Sequence, residues 1–499
     1  MNNLVIFPLL IPLLTGLILA IFRKNTLFQR GFSFFSLTLT GVVSFYLMQQ
    51  VSRAGIQILE LGGWQAPFGI VLVVDMLSAL LLLTTSFVGL VCILYAFKSI
   101  GEKREQFYFY PLFHFLITGI NGSFLTGDLF NLFVCFEVML LSSYVLLSLG
   151  GTKVQFRETI KYTVINSISS TLFLLAIAYL YAAVGTLNMA HISVRVAEAG
   201  QTGFMTTVAI LFLIVFSLKA ALFLFFWLPG SYSAPPTAIA AIFGALLTKV
   251  GIYALFRMFT LVFYHQPEIT HTLLGVMAAL TMILGGFGAV AYWDIRNIVA
   301  YNVIISVGFI VSGLAVFTSG AIIGAIYYLI HDIVMKALLF LLGGTMISIV
   351  GTSKLKDMSG LIRNHPLLGW MFFITAFSLA GVPPLSGFVG KVLIIKEGLA
   401  MGTEGAGYYL LAAIGLLSSL MVIYSLMKVF INGFWGETNL SQEMEKGNTR
   451  GLLLPCVLLT AVGIFWGVGA ETFYPFIEQA AKSMMNPDFY IEAVLREVV

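Results

Sequence analysis

Long apolar stretches separated by short polar loops dominate the hydrophobic pattern of this chain. A helix that crosses a bilayer needs about 20 mostly apolar residues. Fourteen stretches meet this requirement, and they cover residues 4–22, 30–49, 73–97, 107–125, 128–149, 160–183, 205–228, 236–263, 271–293, 298–317, 320–349, 368–397, 406–433 and 452–474. The pattern therefore predicts an all-α polytopic membrane protein, and the even number of spans puts both termini on the same side of the membrane.

Two segments outside these spans have patterns of their own. Residues 54–72 alternate between apolar and polar positions and contain the pair Gly62-Gly63, which favours a small β-hairpin outside the membrane. The stretch 475–499 is polar enough to lie on the membrane surface, and we predict an amphipathic helix there.

Composition supports a membrane protein and limits its chemistry. The chain has 499 residues, of which 59% are hydrophobic and 10% charged, whereas soluble domains carry about 25% charged residues. We therefore expect one continuous membrane domain over residues 1–499. No basic arm is present, so nucleic acid is not an expected partner. The three cysteines, Cys92, Cys135 and Cys456, lie in apolar runs without metal-ligand spacing, and their odd number argues against a disulfide framework.

The basic residues of the loops predict an orientation. Fifteen lysines and arginines fall in the loops that follow odd-numbered spans, and six fall on the other side. Because basic residues concentrate on the cytoplasmic side of membrane proteins, we expect both termini to lie outside.

A sequence repeat links the two halves of the chain. The run Phe-Ser-Leu-Lys at 216–219 resembles Phe-Val-Gly-Lys at 388–391, and the run at 252–259 resembles that at 423–430. The matches pair span 7 with span 12 and span 8 with span 13. Since an offset of five spans is odd, the two copies must be inverted in the membrane, which is typical of secondary transporters with an ion site between the repeats.

Charged residues inside the spans are the strongest functional signal. Lys219, Lys249, Lys336 and Lys391 lie within long apolar stretches, and Glu137 lies in the middle of span 5. A charge at bilayer depth costs at least about 2.5–3.5 kcal/mol. A lysine near a helix end can extend its amine to the membrane surface, but this explanation suits one lysine better than four. We therefore predict a polar pathway for protons or ions.

Two of these groups are expected to act as a pair. A buried carboxylate needs a partner, and Lys219 is the obvious partner of Glu137. Their attraction would keep Lys219 charged, and separating them would favour release of its proton. A purely structural ion pair is the alternative.

A histidine precedes one of the lysines. His331 lies five residues before Lys336, which is not the same helical face, so a bulge or a water molecule would have to link them. Histidine titrates near neutral pH and can extend a proton relay. Asp332 is either a helix-end residue or a partner of the relay groups, and His114 is expected to be a hydrogen-bonded packing residue.

Several charged residues near span ends have simpler interpretations. Asp75 and Asp128 lie at helix starts and are expected to be N-caps. Arg257 and Lys428 are expected to anchor helix ends at the interface. The pair Lys396-Glu397 is expected to face solvent.

Proline and glycine mark candidate interruptions near two of the lysines. Pro229-Gly230 and Pro235-Pro236 follow Lys219, and residues 381–384 precede Lys391. Interrupted helices in corresponding positions of two repeats indicate a transport site, although ordinary loops at these positions remain an alternative. No nucleotide-binding, haem or iron–sulfur motif is present in the sequence, so we expect no cofactor. Energy would come from an ion gradient or from partner subunits.

Several motifs together resemble one family. These are the residues 217–223 and 227–229, the Ala-Pro-Pro-Thr at 234–237, the Leu-Thr-Lys-Val-Gly-Ile-Tyr at 247–253, the segment 331–340, and Glu137. This ensemble resembles the antiporter-like membrane subunits, a family that includes large membrane-arm subunits of respiratory complex I and subunits of Mrp-type Na⁺/H⁺ antiporters. The chain length and residues 227–237 favour the Mrp-type branch, and the shorter of its two large subunits. Lysine at position 391 excludes one complex I branch.

The resemblance implies an architecture and a set of roles. It implies fourteen core helices, with inverted five-helix repeats in spans 4–8 (107–263) and 9–13 (271–433), preceded by spans 1–3 (1–106) and followed by span 14 and a tail (452–499). Spans 7 and 12 would be discontinuous. By position, Glu137 and Lys219 would be a coupling pair, Lys249 and Lys336 with His331 a relay, and Lys391 a terminal site. Family members usually have a proline soon after the first lysine, but residues 223–226 contain none.

These observations give one leading hypothesis and two alternatives. The leading hypothesis is a secondary-transporter subunit of a multisubunit Na⁺(Li⁺)/H⁺ antiporter in a bacterial plasma membrane, with a role in pH homeostasis. Its partners would be other antiporter subunits, protons, Na⁺ or Li⁺, and membrane lipids. The first alternative is a proton-pump subunit of a redox-driven complex. The second is a scaffold without transport activity. The sequence assigns no Na⁺ site.

Overall fold

The computed structural model describes residues 2–438 and 440–496 and shows a bundle of apolar helices. Each of the fourteen predicted spans overlaps one helix or, in spans 7 and 12, a pair of helices, and we number the spans accordingly. Spans 1–6 are Asn3–Ile21, Thr26–Ala54, Met76–Ser99, Tyr110–Leu125, Leu129–Ser148 and Lys153–Val184. Spans 7–11 are Gly203–Ala220 with Leu228–Ser233, Thr237–Leu261, Pro267–Ala291, Ile295–Val316 and Ser319–Val350. Spans 12–14 are Pro366–Ala380 with Ser386–Met401, Ala406–Phe434 and Leu453–Val468.

Eleven of the helices within the described residues are long and apolar enough to cross a membrane by themselves. The remaining spans, 4, 12 and 14, are formed by shorter helices. Span 4 has 16 residues, span 12 is divided by a break, and span 14 bends by 79° into the helix that follows it. The prediction of an all-α membrane protein is confirmed.

Helix ends follow the capping residues of the sequence. The carboxylates of Asp75 and Asp128 accept hydrogen bonds from the backbone N–H groups of Ser78 and Asn131, so both are N-caps as predicted. Thr152 and Gln155 form a reciprocal capping box at the start of span 6. These contacts satisfy N–H groups that the first turn of a helix leaves without a partner.

The short elements between the spans include the predicted hairpin. Strands Gln57–Glu60 (β1) and Val71–Val74 (β2) pair antiparallel, with Gln57 opposite Val74. Helix Met189–Ala199, which the hydrophobic pattern does not predict, lies between spans 6 and 7. Short turns of helix occupy Leu61–Gly63, Glu102–Arg104, Glu105–Phe109 and Leu355–Asp357.

The C-terminal stretch contains two helices, Ala470–Met485 and Pro487–Leu495. The first is amphipathic, as predicted, and it buries Ile477, Ala480 and Met484. The last residues of the predicted stretch, 497–499, lie outside the described residues.

Spans 7 and 12 are both interrupted, in agreement with the family resemblance. Span 7 breaks between Ala220 and Leu228 without a proline, because Ala221 and Phe223 take left-handed backbone conformations (φ of 59° and 60°). A left-handed residue other than glycine costs roughly 1–2 kcal/mol. Span 12 breaks between Ala380 and Ser386, where Gly381 has a φ of 87°.

The breaks correct one detail of the predicted repeat. Lys219 is next to the last residue of the first half of span 7, whereas Lys391 lies in the second half of span 12. The two lysines are therefore on opposite sides of their breaks, and the matching tetrapeptides around them do not occupy equivalent positions.

Spans 8, 10 and 11 form the centre of the bundle. They are almost entirely buried by the other helices, whereas one side of spans 2, 6, 9 and 13 is exposed. Span 8 also contains a wider π-helical turn at Phe243–Leu247. Charged side chains on the central spans are therefore shielded from lipid.

Candidate functional site

The first buried charged group connects spans 5, 6 and 7. Glu137 of span 5 is half-buried and accepts a hydrogen bond from the hydroxyl of Ser170 on span 6. The amine of Lys219, at the end of the first half of span 7, lies 3.2 Å from the same hydroxyl. The predicted pair is thus brought together, but Ser170 bridges it. The ring of Phe136 lies 5.0 Å from the Lys219 amine and offers it a cation–π contact.

The break in span 7 determines where the helix that carries Lys219 ends. The indole N–H of Trp227 donates to the carbonyl oxygen of Leu218, and the N–H of Phe223 donates to the hydroxyl of Thr281 on span 9. These contacts satisfy backbone groups that the interrupted helix frees, as is required at membrane depth. The break is therefore held by neighbouring side chains.

The second group lies between spans 8 and 11 and is completely buried. The amine of Lys249 is 2.8 Å from one carboxylate oxygen of Asp332, and the amine of Lys336 is 3.5 Å from the other. Lys249 also donates to the carbonyl oxygen of Gly244 in the π-helical turn, at 2.9 Å. The Asp332 carboxylate therefore lies between two amines. If both amines are protonated, one positive charge is left without a carboxylate, and Lys249 and Lys336 share it.

Asp332 is the residue of this group that the sequence interpretation left undecided. Its position is not a helix end, because it lies in the middle of span 11. The signal that could have identified it is its spacing of four residues from Lys336, which places two side chains on one helical face.

His331 lies on a different helical face from Lys336, as the spacing of five residues predicts. Its Nδ1 lies 2.7 Å from the hydroxyl of Ser386, which in turn lies 3.0 Å from the hydroxyl of Ser378. No contact with Lys336 is formed, because the regular helix of span 11 turns residues five apart away from each other. His331 therefore contacts the break in span 12.

The third group is formed by the break in span 12. The amine of Lys391 donates to the carbonyl oxygen of Ala380 at 3.1 Å and to the hydroxyl of Ser419 at 2.8 Å. Ala380 is the last residue of the first half of span 12, so its carbonyl has no partner within that half. The rings of Phe309 and Tyr328 lie 5.0 and 5.5 Å from the amine.

The three groups lie on helices that pack against each other, and we call them together the series of buried groups. A side chain at Gly251 of span 8 would lie 2.5 Å from the backbone N of Ala220, so the lysines of spans 7 and 8 sit on helices in direct contact. His331 and Asp332 are neighbours in sequence and connect the second group to the break beside Lys391. Carboxylates, amines, hydroxyls and an imidazole can all exchange protons directly or through water, so the side chains of these three groups have the chemistry that proton transfer requires.

Other expectations about charged residues need correction. Arg257 is not an interface anchor: it is buried and forms an ion pair with Asp75 at 2.6 Å. Lys428 is also buried, and it donates to the carbonyl oxygens of Val290 (2.7 Å) and Tyr292 (2.6 Å) at the end of span 9. Both side chains are buried against neighbouring helices.

Two further expectations are only partly met, and a third is met in full. His114 is fully buried, but neither ring nitrogen has a hydrogen-bond partner within the described residues. Lys396 is exposed as predicted, whereas Glu397 is half-buried and accepts from the hydroxyl of Thr318 at 2.8 Å. The three cysteines are free and buried, as predicted.

The described residues contain no cluster of three or more histidine, cysteine or acidic side chains that could hold a metal ion.

The fold and the series of buried charges define a class of membrane protein. Residues 126–422 match the family model described as NADH:quinone oxidoreductase/Mrp antiporter, transmembrane. The chain belongs to this family of membrane subunits.

Similar proteins narrow the class further. The chain is 50% identical over 498 residues, covering 100% of both chains, to the D-type subunits of the Na⁺/H⁺ antiporters of Bacillus subtilis and Alkalihalophilus pseudofirmus. It superimposes on a chain of the Mrp complex from Dietzia sp. with a TM-score of 0.90, at 28% identity, covering 99% of this chain and 100% of that chain. The predicted resemblance to the shorter of the two large Mrp-type antiporter subunits, the D-type, is thereby confirmed.

A structural likeness extends to a redox complex. A chain of respiratory complex I from Thermus thermophilus superimposes with a TM-score of 0.82 at 23% identity, covering 97% of this chain and 100% of that chain. At this identity the likeness concerns the fold alone.

Proposed function

We propose that this chain is the proton-translocating subunit of a multisubunit Na⁺(Li⁺)/H⁺ antiporter. The observation that carries the proposal is the series of buried proton-exchanging groups from Glu137 to Lys391, in a chain that resembles the D-type antiporter subunits over its whole length. Buried charges are costly in a membrane, so a protein that served only as a scaffold would gain nothing from keeping them.

The proposed mechanism moves a proton along the series by shifting charge between neighbouring groups. When Glu137 and Lys219 are close, the carboxylate stabilises the ammonium form. When they separate, Lys219 gives its proton to a neighbouring neutral amine, Lys249, through water. Asp332 then stabilises the new charge between Lys249 and Lys336, and Lys391 with His331 ends the series. Each step moves a charge only between neighbouring groups, directly or through water.

The direction and the partners of transport are part of the same proposal. The positive loops support a cytoplasmic location for the loops after odd-numbered spans and an outside location for both termini. Protons would move inward in exchange for Na⁺ or Li⁺, and the cation would pass with the help of other subunits of the complex. Membrane lipids would cover the exposed faces of the outer spans.

The experiment measures Na⁺-dependent proton movement in everted membrane vesicles from antiporter-deficient cells that express the complete set of antiporter genes. Glu137→Gln and Lys219→Met are compared with the wild type at equal abundance of the assembled complex. We expect both variants to lose at least about tenfold in exchange rate, since each removes a charge-assisted contact of roughly 1.5–3 kcal/mol.

Matched controls come from the same chain. Glu158→Gln removes a buried carboxylate on span 6, and Lys428→Met removes a buried lysine on span 13. Neither residue belongs to the series. Both should retain exchange. Normal exchange by Glu137→Gln and Lys219→Met would exclude the relay and leave the chain as a scaffold.

A further inference from the structure

A second buried ion pair lies outside the proposed relay. Arg257 of span 8 donates through Nη2 to the carboxylate of Asp75 at 2.6 Å, and both residues are at least nine-tenths buried. The same nitrogen donates to the hydroxyl of Tyr253 at 3.1 Å. Since buried charges cost free energy even when paired, this pair requires an explanation beyond helix capping by Asp75.

The helical register connects this pair to the relay. Lys249, Tyr253 and Arg257 follow one another at intervals of four residues, so they lie along one face of span 8. Each interval corresponds to roughly 6 Å along the helix. The Tyr253 hydroxyl also contacts the hydroxyl of Ser78 (3.2 Å) and the carbonyl oxygen of Phe124 (3.0 Å). A line of polar groups therefore leads from Lys249 toward the end of span 8 near Arg257.

One hydrogen-bond donor of the pair has no protein partner. The Nε–H of Arg257 is buried and has no hydrogen-bond partner within the described residues. An unpaired buried donor on a charged group is strongly unfavourable, and ordered water is the usual partner in such places. A water molecule bound to this donor would extend the line of polar groups that leads from Asp75 to Lys249.

The C-terminal helix closes this line of groups at the other end. The ring of Tyr490, in the helix Pro487–Leu495, lies 4.8 Å from the Arg257 guanidinium and is itself buried. On the proposed orientation, Asp75 begins span 3 and Arg257 nears the end of span 8 on the outer side of the membrane. The helix that carries Tyr490 thus covers the pair from outside.

We propose that Asp75 and Arg257 form the outer mouth of the proton path, with Asp75 as its proton acceptor. The inference rests on the proposed function and adds the place at which protons enter the chain. A hydronium ion outside protonates the Asp75 carboxylate and leaves water. The carboxylic acid then passes this proton through water to the neutral amine of Lys249, which becomes an ammonium ion while Asp75 returns to a carboxylate.

The ion pair gives this mouth a way to close. While Asp75 is ionised, Arg257 holds it in an ion pair whose two charges cancel, so the mouth does not attract metal cations from outside. Protonation removes the attraction between them and leaves the guanidinium held by the Tyr490 ring and the Tyr253 hydroxyl. The step from Asp75 toward Lys249 therefore opens only after Asp75 has taken up a proton.

The test removes the pair without leaving an uncompensated charge. In the double variant Asp75→Asn/Arg257→Gln, asparagine still serves as an N-cap, and both charges disappear together. Asp294→Asn is the matched control, because Asp294 also caps a span but lies at the start of span 10, on the opposite face. Na⁺-dependent proton exchange is measured in everted vesicles at equal abundance of the complex.

We expect the double variant to lose at least tenfold in exchange rate and Asp294→Asn to stay within about twofold of the wild type. Exchange by the assembled double variant within twofold of the wild type would overturn the proposal. If the double variant fails to assemble, Tyr253→Phe decides the question. A loss of several-fold supports the path, and an unchanged rate overturns it.

The experiments distinguish a failure of the proposed relay from a failure of the proposed outer mouth. Normal exchange by Glu137→Gln and Lys219→Met would refute the relay itself. Loss of exchange in those variants, together with normal exchange in the assembled double variant, would refute only the outer mouth.

Discussion

The four buried lysines are stabilised in different ways, and only two carboxylates serve them. Lys219 faces Glu137 through Ser170, and Lys249 and Lys336 share Asp332. Lys391 contacts a carbonyl oxygen and a hydroxyl. Neutral partners of this kind stabilise an ammonium ion less than a carboxylate does. The series therefore contains more amines than charges that balance them, which is the condition for a proton to be mobile.

The bridging hydroxyl of Ser170 gives the first residue-scale prediction. Ser170→Ala removes the connection between Glu137 and Lys219, and we expect exchange to fall roughly tenfold, since hydrogen bonds to charged groups contribute about 1.5–3 kcal/mol. Ser169→Ala is the control, because the Ser169 hydroxyl donates to the backbone of Val215 instead. Vesicle exchange at equal complex abundance is the measurement, and equal rates for the two variants would contradict the bridging role.

Asp332 gives the second prediction. Asp332→Asn leaves Lys249 and Lys336 facing each other without a carboxylate, and we expect less assembled complex, because an uncompensated buried charge costs about 3–5 kcal/mol. Adding Lys336→Met should restore complex abundance but not exchange. Immunoblots of native gels measure the abundance and vesicle assays the exchange. A double variant that exchanges normally would show that the pair is only structural.

At the scale of helices, interruption of regular structure supplies the contacts of the site. The π-helical turn of span 8 offers the Gly244 carbonyl to Lys249, and the break in span 12 offers the Ala380 carbonyl to Lys391. A regular α-helix would use both oxygens internally. The irregular turns thus create acceptors for amines in a region that lacks bulk water.

The break in span 12 can be tested at Gly381. An alanine there would be strained at a φ of 87°, and its Cβ would lie 2.7 Å from Cδ of Lys391. Gly185→Ala carries a similar backbone strain (φ 72°) but meets nothing within 4 Å. We expect both variants to lose roughly 1–2 kcal/mol in stability. Only Gly381→Ala should also lose exchange, because it displaces the lysine. Equal exchange in both would contradict this expectation.

At the scale of the whole molecule, the orientation in the membrane can be measured. We predict that a cysteine introduced at Glu198 reacts with a membrane-impermeant maleimide from outside intact cells, whereas one at Arg157 reacts only in everted vesicles. Both side chains are well exposed, and the native cysteines are buried and should not interfere. Labelling in the reverse pattern would place both termini in the cytoplasm.

The face around Glu137 concerns the assembly of the complex. Glu137 is half-buried, and neighbouring side chains of spans 5 and 6 are exposed and apolar, among them Val134, Leu141 and Ile168. A neighbouring subunit that covered this face would lie beside the Glu137 carboxylate. The series of buried groups therefore begins at the surface of this chain, where a partner can influence it.

Much of this molecule could be predicted from its sequence because a bilayer restricts what a chain can do. Apolar length indicated the fourteen spans, and the cost of burying charge identified Glu137 and the four lysines. The sequence-based interpretation failed where distance along the chain does not show distance in space. It left Asp332 undecided, missed Ser170 and named no partner for His331 on another helix, although helical packing directs His331 to Ser386.

The sequence alone thus determined the class of protein, its long apolar helices, and the identity of Glu137 and the four buried lysines, since these follow from local hydrophobicity and the free-energy cost of desolvation. Only the tertiary structure decided which groups meet. Arg257 and its partner Asp75 are 182 residues apart, and Lys249 and its partner Asp332 lie on spans 8 and 11. Such contacts depend on how the helices pack against each other, and local sequence patterns do not predict this packing.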